Sequence, residues 1–174
     1  MMEENSTNAT FYQYKLIKKI PVTRLMLRCY LILPYIAIIA EMILISWTSI
    51  IYFAIAAPLV LWIHYVISHS VLFISHSQSH KRWKFSAKLP WLGYMTDQHL
   101  SFRIFRKVYL HTAWIGLAIF LILMFWSPLS FTVSLLFWHL WFLLPRFYAY
   151  IRLYNVPKDG MIKFNTQDIS YYQQ

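Results

Sequence analysis

Acidic residues are scarce in this chain, six among 174, and Cys29 is the lone cysteine. One cysteine excludes an internal disulfide and any zinc site built on several thiolates. Glycine occurs at only three positions, Gly93, Gly116 and Gly160, too few and too far apart for a phosphate-cradling loop or a GxxxG helix-dimer motif. The chain also has no zincin HExxH and no nucleophile elbow. What it has instead is apolar and cationic. Hydrophobic residues make up 59%, aromatics 20% and charged residues 13%, and the net charge is +10. A soluble domain carries about 25% charged residues. A chain this apolar has too little polar surface to face water all round, so lipid is its expected solvent.

The long apolar runs set the architecture. Between Cys29 and Ser75 the one charge is Glu41. A single helix over that stretch would extend about 70 Å, against a hydrocarbon core of about 30 Å, so it must fold back. Ser46-Trp47-Thr48-Ser49 is its most polar point and suits a turn with an interfacial Trp. The spacing therefore predicts helices over about 25–47 and 49–74. The second apolar region, 108–151, breaks at Trp126-Ser127-Pro128, because proline suits a first helical turn and not an interior. It predicts helices over about 108–126 and 129–151. The expected fold class is all-α: a polytopic membrane protein of four transmembrane helices arranged as two antiparallel hairpins. Residues 1–24, 76–107 and 152–174 form the N-terminal segment, central loop and tail. Pro34, Pro58 and Pro145 fall inside spans, where neighbours must satisfy the carbonyls they free.

The basic residues give the direction. Lys15, Lys18, Lys19, Arg24 and Arg28 precede the first span. Lys81, Arg82, Lys84, Lys88, Arg103, Arg106 and Lys107 lie between the second and third. Arg146, Arg152, Lys158 and Lys163 follow the core of the fourth, and both tight turns have none. All sixteen then fall on one side, which the positive-inside rule makes cytoplasmic, with both termini in. The expected location is the cell (plasma) membrane. Asn5 and Asn8 head glycosylation sequons that matter only on a translocated N-terminus. The central loop mixes Lys81, Arg82, Trp83, Lys84, Lys88 and Trp91, a composition suited to the headgroups of an anionic inner leaflet. Nucleic acid would use the same residue types, but the flanking spans assign these charges to lipid. No nucleic-acid partner is expected. Asp97 is placed to cap a helix leading into the third span. Met161–Phe164 has the makings of a short strand, set in a tail otherwise expected to be solvated.

Four of seven histidines crowd into residues 64–80, HYVISHSVLFISHSQSH. His69, His76 and His80 fall within about 40° of one another on an ideal helix. His76 and His80, spaced i and i+4, suit a metal chelate, with His99 and Asp97 as further ligands from the same loop. The segment His76-Ser77-Gln78-Ser79-His80 resembles the first histidine box of the membrane fatty acid desaturases, which likewise have four spans and cytoplasmic ends. The resemblance covers this segment alone. That family has two further HxxHH-type boxes, and this chain has no adjacent histidine pair.

Depth, counted at 1.5 Å per residue, sorts the polar residues inside the spans. Glu41 lies about 9 Å and His139 about 14 Å below the outer turns, which suggests a polar pair between the first and fourth helices. His64, His111 and Arg146 lie about 21–26 Å deep, a layer expected to snorkel to the inner interface. His64 and His111, matched in depth, are the best-placed pair for a haem, though the bulky Leu, Ile, Phe and Trp around them leave little room. The expected function is that of an accessory or assembly subunit, with no catalytic residue and no cofactor, docking protein partners through its loop and tail. The alternatives are a His-ligated metalloprotein and a small oligomeric transporter.

Overall fold

The structure is a computed structural model and describes residues 15–75, 83–96 and 98–173. Four helices carry the mass: α1 (Arg24–Leu44), α2 (Ser49–Ile74), α3 (Phe102–Leu123) and α4 (Leu129–Arg152). All four are long and apolar enough to cross a membrane. Thr23 starts α1 by accepting the Met26 amide at 3.2 Å on its hydroxyl. The predicted first turn holds: the Ser46 hydroxyl accepts the Thr48 amide at 3.1 Å and meets the Thr48 hydroxyl at 2.8 Å. Pro128 opens α4 as expected, and Trp47 and Trp126 stand exposed at the two turns. The third helix differs from expectation. The helix expected to start near residue 98 and run through Phe102 and Phe105 into the third span starts at Phe102, because residues 100–101 are taken up in a strand; from there Phe102, Phe105 and Val108 form one apolar face buried against the chain's own core.

The fold is not purely helical. Among the described residues, six short strands accompany the helices: β1 (Lys15–Pro21), β2 (Trp83–Ser86), β3 (Gly93–Thr96), β4 (Leu100–Ser101), β5 (Met161–Phe164) and β6 (Asp168–Gln173). β2 and β3 pair as a hairpin, and the others form one antiparallel sheet in the order β1-β6-β5-β4. Residues before α1, before α3 and after α4 thus share a sheet, with Lys15 opposite Gln173 and Leu100 opposite Ile162. The tail expected to be solvated is therefore ordered, and Met161–Phe164 joins β6 and β4 of its own chain. The reason is burial: Ile20, Leu100, Ile162, Ile169 and Tyr171 line one continuous core with the ends of α2, α3 and α4. The Lys18 ammonium of β1 donates to the Arg152 carbonyl at 2.6 Å, setting a positive charge at the negative end of α4.

A second cluster fills the bundle among the four helices, around Tyr30, Ala56, Val60, Phe120, Leu135, Trp141 and Phe142. Proline shapes it. Pro34 has no N–H, so the Tyr30 carbonyl loses its helical donor. The Trp141 indole N–H donates to that carbonyl at 2.9 Å, and the indole stacks on the Tyr30 ring at 4.1 Å. The Trp138 indole likewise donates to a backbone carbonyl, that of Phe53 at 2.9 Å, one residue before the Ala54 carbonyl that Pro58 leaves without its helical donor.

Candidate functional site

The buried polar groups gather around α4, which buries eleven residues, more than any other helix. At its turn end, Ser134 Oγ lies 2.7 Å from Glu41 Oε2 and 2.8 Å from the Ser130 carbonyl. Glu41 is buried, so α1 and α4 do meet through this carboxyl group. The partner is Ser134 and not His139, which corrects the expected pair. Ser134 and His139 are five residues apart, about 140° around the helix, and His139 faces the opposite interface.

There His139 Nδ1 meets His64 Nε2 of α2 at 2.8 Å, with the rings edge-on at 75°. His139 Nε2 lies 3.2 Å from the Ala113 carbonyl of α3. The carbonyl can only accept, so Nε2 carries the hydrogen; in a neutral ring Nδ1 then accepts from His64. The pair joins α2, α3 and α4 at one point. Gly116 makes room for it, since a Cβ there would stand 2.6 Å from the His139 ring. One turn from His64, the Ser68 and Thr112 hydroxyls bridge α2 and α3 at 3.1 Å.

His64 and Arg146 do not snorkel. Both are buried, and Arg146 is 6% exposed. Its guanidinium donates to the Leu92 carbonyl at 3.3 Å, beneath the β2–β3 hairpin, and no described carboxylate pairs with it. Gly93, at φ +110°, keeps a Cβ away from this guanidinium, which it would approach to 3.1 Å. His111 is exposed and bonds the Lys107 carbonyl of its own helix at 2.7 Å. His64 is thus inside the bundle and His111 on its exterior, which removes the haem pair.

In the loop, Trp83 and Trp91 are buried instead of lying on lipid. The Trp91 indole donates to the Asn165 carbonyl at 2.7 Å and packs on Phe164. Trp91 thus faces the sheet, while Trp83 packs on Tyr94 beside Phe105 and Val108 of α3, leaving Lys84 and Phe85 outward. Lys81 and Arg82 lie outside the described residues. Of the proposed metal ligands, His76, His80 and Asp97 also lie outside them. His99 stands beside β4 with its ring edge-on to Tyr172, and burial together with Lys163 lowers its pKa. Among the described residues no three His, Cys, Asp or Glu side chains cluster as metal ligands.

Hollows open on the surface of the described residues. One of about 240 Å³ lies between the hairpin and the β5–β6 turn, lined by Lys88, Trp91, Phe164 and Asn165 among others. Another, of about 440 Å³, is an apolar groove between α3 and α4 with Trp114, Leu140 and Phe147 on its walls and His139 at its base. No family model, curated protein or solved structure matches the chain.

Proposed function

We propose that this protein is a four-span accessory subunit of the cell membrane, built of two antiparallel hairpins with both termini cytoplasmic, which docks a partner on its cytoplasmic sheet. The observation that carries the reading is the shared sheet. Strands from the N-terminal segment, the central loop and the tail pair together, so the three segments bearing the cationic residues lie at one end of the bundle. The order of the α1–α4 contacts agrees: Tyr30 meets Trp141 and Glu41 meets Ser134, so one helix ascends as the other descends. Those cations then stand against the anionic inner leaflet.

Strand β1 is the docking edge in this reading. It ends the described sheet, and Leu16 and Ile17 are 48% and 45% exposed between Lys15, Lys18 and Lys19. An unpaired edge can accept an added strand, and the lysines favour an acidic one. In cells, a photoreactive residue at Ile17 should give a discrete protein adduct that the same residue at Trp114, on α3, does not give. Lipid adducts alone at Ile17 would count against docking there. In a Cys29→Ala background, an impermeant thiol reagent should label Trp47→Cys from outside and leave Lys88→Cys unlabelled. The reverse pattern would overturn the orientation.

A further inference from the structure

The contacts of Ser134 fix where a proton must be. A serine hydroxyl has one hydrogen, and Ser134 Oγ is within bonding distance of two groups, Glu41 Oε2 at 2.7 Å and the Ser130 carbonyl at 2.8 Å. The carbonyl can only accept. If Glu41 were ionised, its oxygen could also only accept, and two acceptors would compete for one hydrogen. With the hydrogen on Oε2, each contact has its own donor: Glu41 donates to Ser134, and Ser134 donates to Ser130. The surroundings argue the same way. Glu41 is 5% exposed, and its other oxygen, Oε1, has no partner among the described residues. Leaving half of a buried carboxylate charge unsolvated is far more costly than leaving an uncharged carbonyl unpaired.

Among the described residues no cation pairs with Glu41. The elements packed on α1 at this point are α2 and α4. Their titratable groups nearest this end are Tyr52, which packs on Phe131, and the His64–His139 pair, whose members bond each other. Arg24 and Arg28 of α1 lie more than three helical turns away, at the opposite end. Arg146 and Arg152 of α4 lie toward its sheet end.

We propose that Glu41, Ser134 and the Ser130 carbonyl form a proton-binding site inside the bundle, occupied at neutral pH, within one helical turn of the α1 end at Leu44. Its ligand is the proton itself, and it joins the least buried helix to the most buried one. Losing that proton would leave a bare carboxylate facing a single shared hydroxyl hydrogen. The site is thus a point where proton uptake and helix contact are one event.

Infrared difference spectroscopy tests this on the full chain in liposomes at neutral pH, comparing native protein with Glu41→Gln. The expected result is a carboxylic-acid C=O band present in the native protein and absent from the variant. A carboxylate band in its place would overturn the proposal. Glutamine keeps an N–H for Ser134, so the variant should accumulate. If it does not, an apolar carbodiimide gives the same information on the native chain. The acid's O–H adds across a C=N bond of the reagent, and acyl transfer to nitrogen leaves a stable N-acylurea with no group lost. An adduct at Glu41 at neutral pH supports the site. An adduct that forms only after acidification overturns it.

Discussion

Helices α1 and α4 are of similar length and both are apolar enough to cross a membrane, yet α1 buries two residues and α4 buries eleven. The more apolar helix is the less buried. In lipid, apolar side chains gain little by leaving the solvent, so packing is decided by shape and by polar groups that need partners. Both buried residues of α1, Tyr30 and Glu41, illustrate this. Each is a place where α4 answers an unmet polar group, a carbonyl freed by Pro34 or a carboxyl group. They are eleven residues apart, on one face of the helix. The α4 helix carries the matching set on one side and the histidine contact on another.

The largest effect should come from disturbing the centre of α4. Gly116→Leu puts a side chain where the His139 ring already stands, with even its Cβ only 2.6 Å away. The ring is fixed by His64 and Ala113, so α3 must move off α4. Overpacking of this kind costs about 1–3 kcal/mol or more. The expected result is loss of folded protein in a thermal or denaturant melt in mild detergent. Gly116→Ala should show a smaller loss, with its new methyl in the same place.

The attachment of α1 should break more gently, and reversibly. Trp141→Phe keeps a ring to stack on Tyr30 but removes the N–H that the Tyr30 carbonyl accepts. An orphaned buried carbonyl costs about 1–3 kcal/mol. Pro34→Ala restores the helical N–H to that same carbonyl. The double variant should therefore be more stable than Trp141→Phe alone, as read from the unfolding midpoint. If the two changes simply add, the indole is holding α1 by packing and not by its hydrogen bond.

Much of this contrast was open to sequence reasoning in height and closed to it in azimuth. The four long helices and both turns follow from length, polarity and Pro128, because a helix long enough to cross a bilayer has a set length. Depth also placed Glu41 near the turn end of α4. It could not say which way α4 is turned, and so chose His139 over Ser134, which lies about 7 Å below its turn and is closer in depth. The signal for the His64–His139 contact was Gly116, the one glycine in any span, marking a close approach. The sheet was largely illegible. Its strands have two to seven residues, and β1 pairs with β6 across nearly the whole chain, Lys15 with Gln173. Trp83 and Trp91 looked interfacial because basic and aromatic residues together describe a headgroup zone and a hairpin lid equally well.

A double-mutant cycle separates the two faces of α4. Because Glu41 and His139 have different partners, Glu41→Gln and His139→Ala should add within about 0.5 kcal/mol. Glu41→Ala and Ser134→Ala, which remove two ends of one contact, should fall short of additivity by more than that. Coupling between Glu41 and His139 instead would restore the pair that depth alone suggested.

The smallest effect lies at the sheet end, where His99 provides a pH test of the second region. Burial and the nearby Lys163 both disfavour its protonated form, so its folded pKa is below the unfolded value near 6.5. Between those two values the unfolded chain binds more protons than the folded one. Stability therefore rises with pH through that window and is level above the unfolded value. The residue is only partly buried, so solvent screening keeps the slope shallow. Melts taken from neutral to mildly acidic pH should show the midpoint falling, and His99→Gln should lessen that dependence without abolishing it, since the buried His64–His139 pair remains. The same scan on Glu41→Gln should keep the slope of the native chain, since the sheet end and the turn end of the bundle titrate separately. A slope that survives undiminished in His99→Gln but vanishes in Glu41→Gln would move the pH response from the sheet to α1.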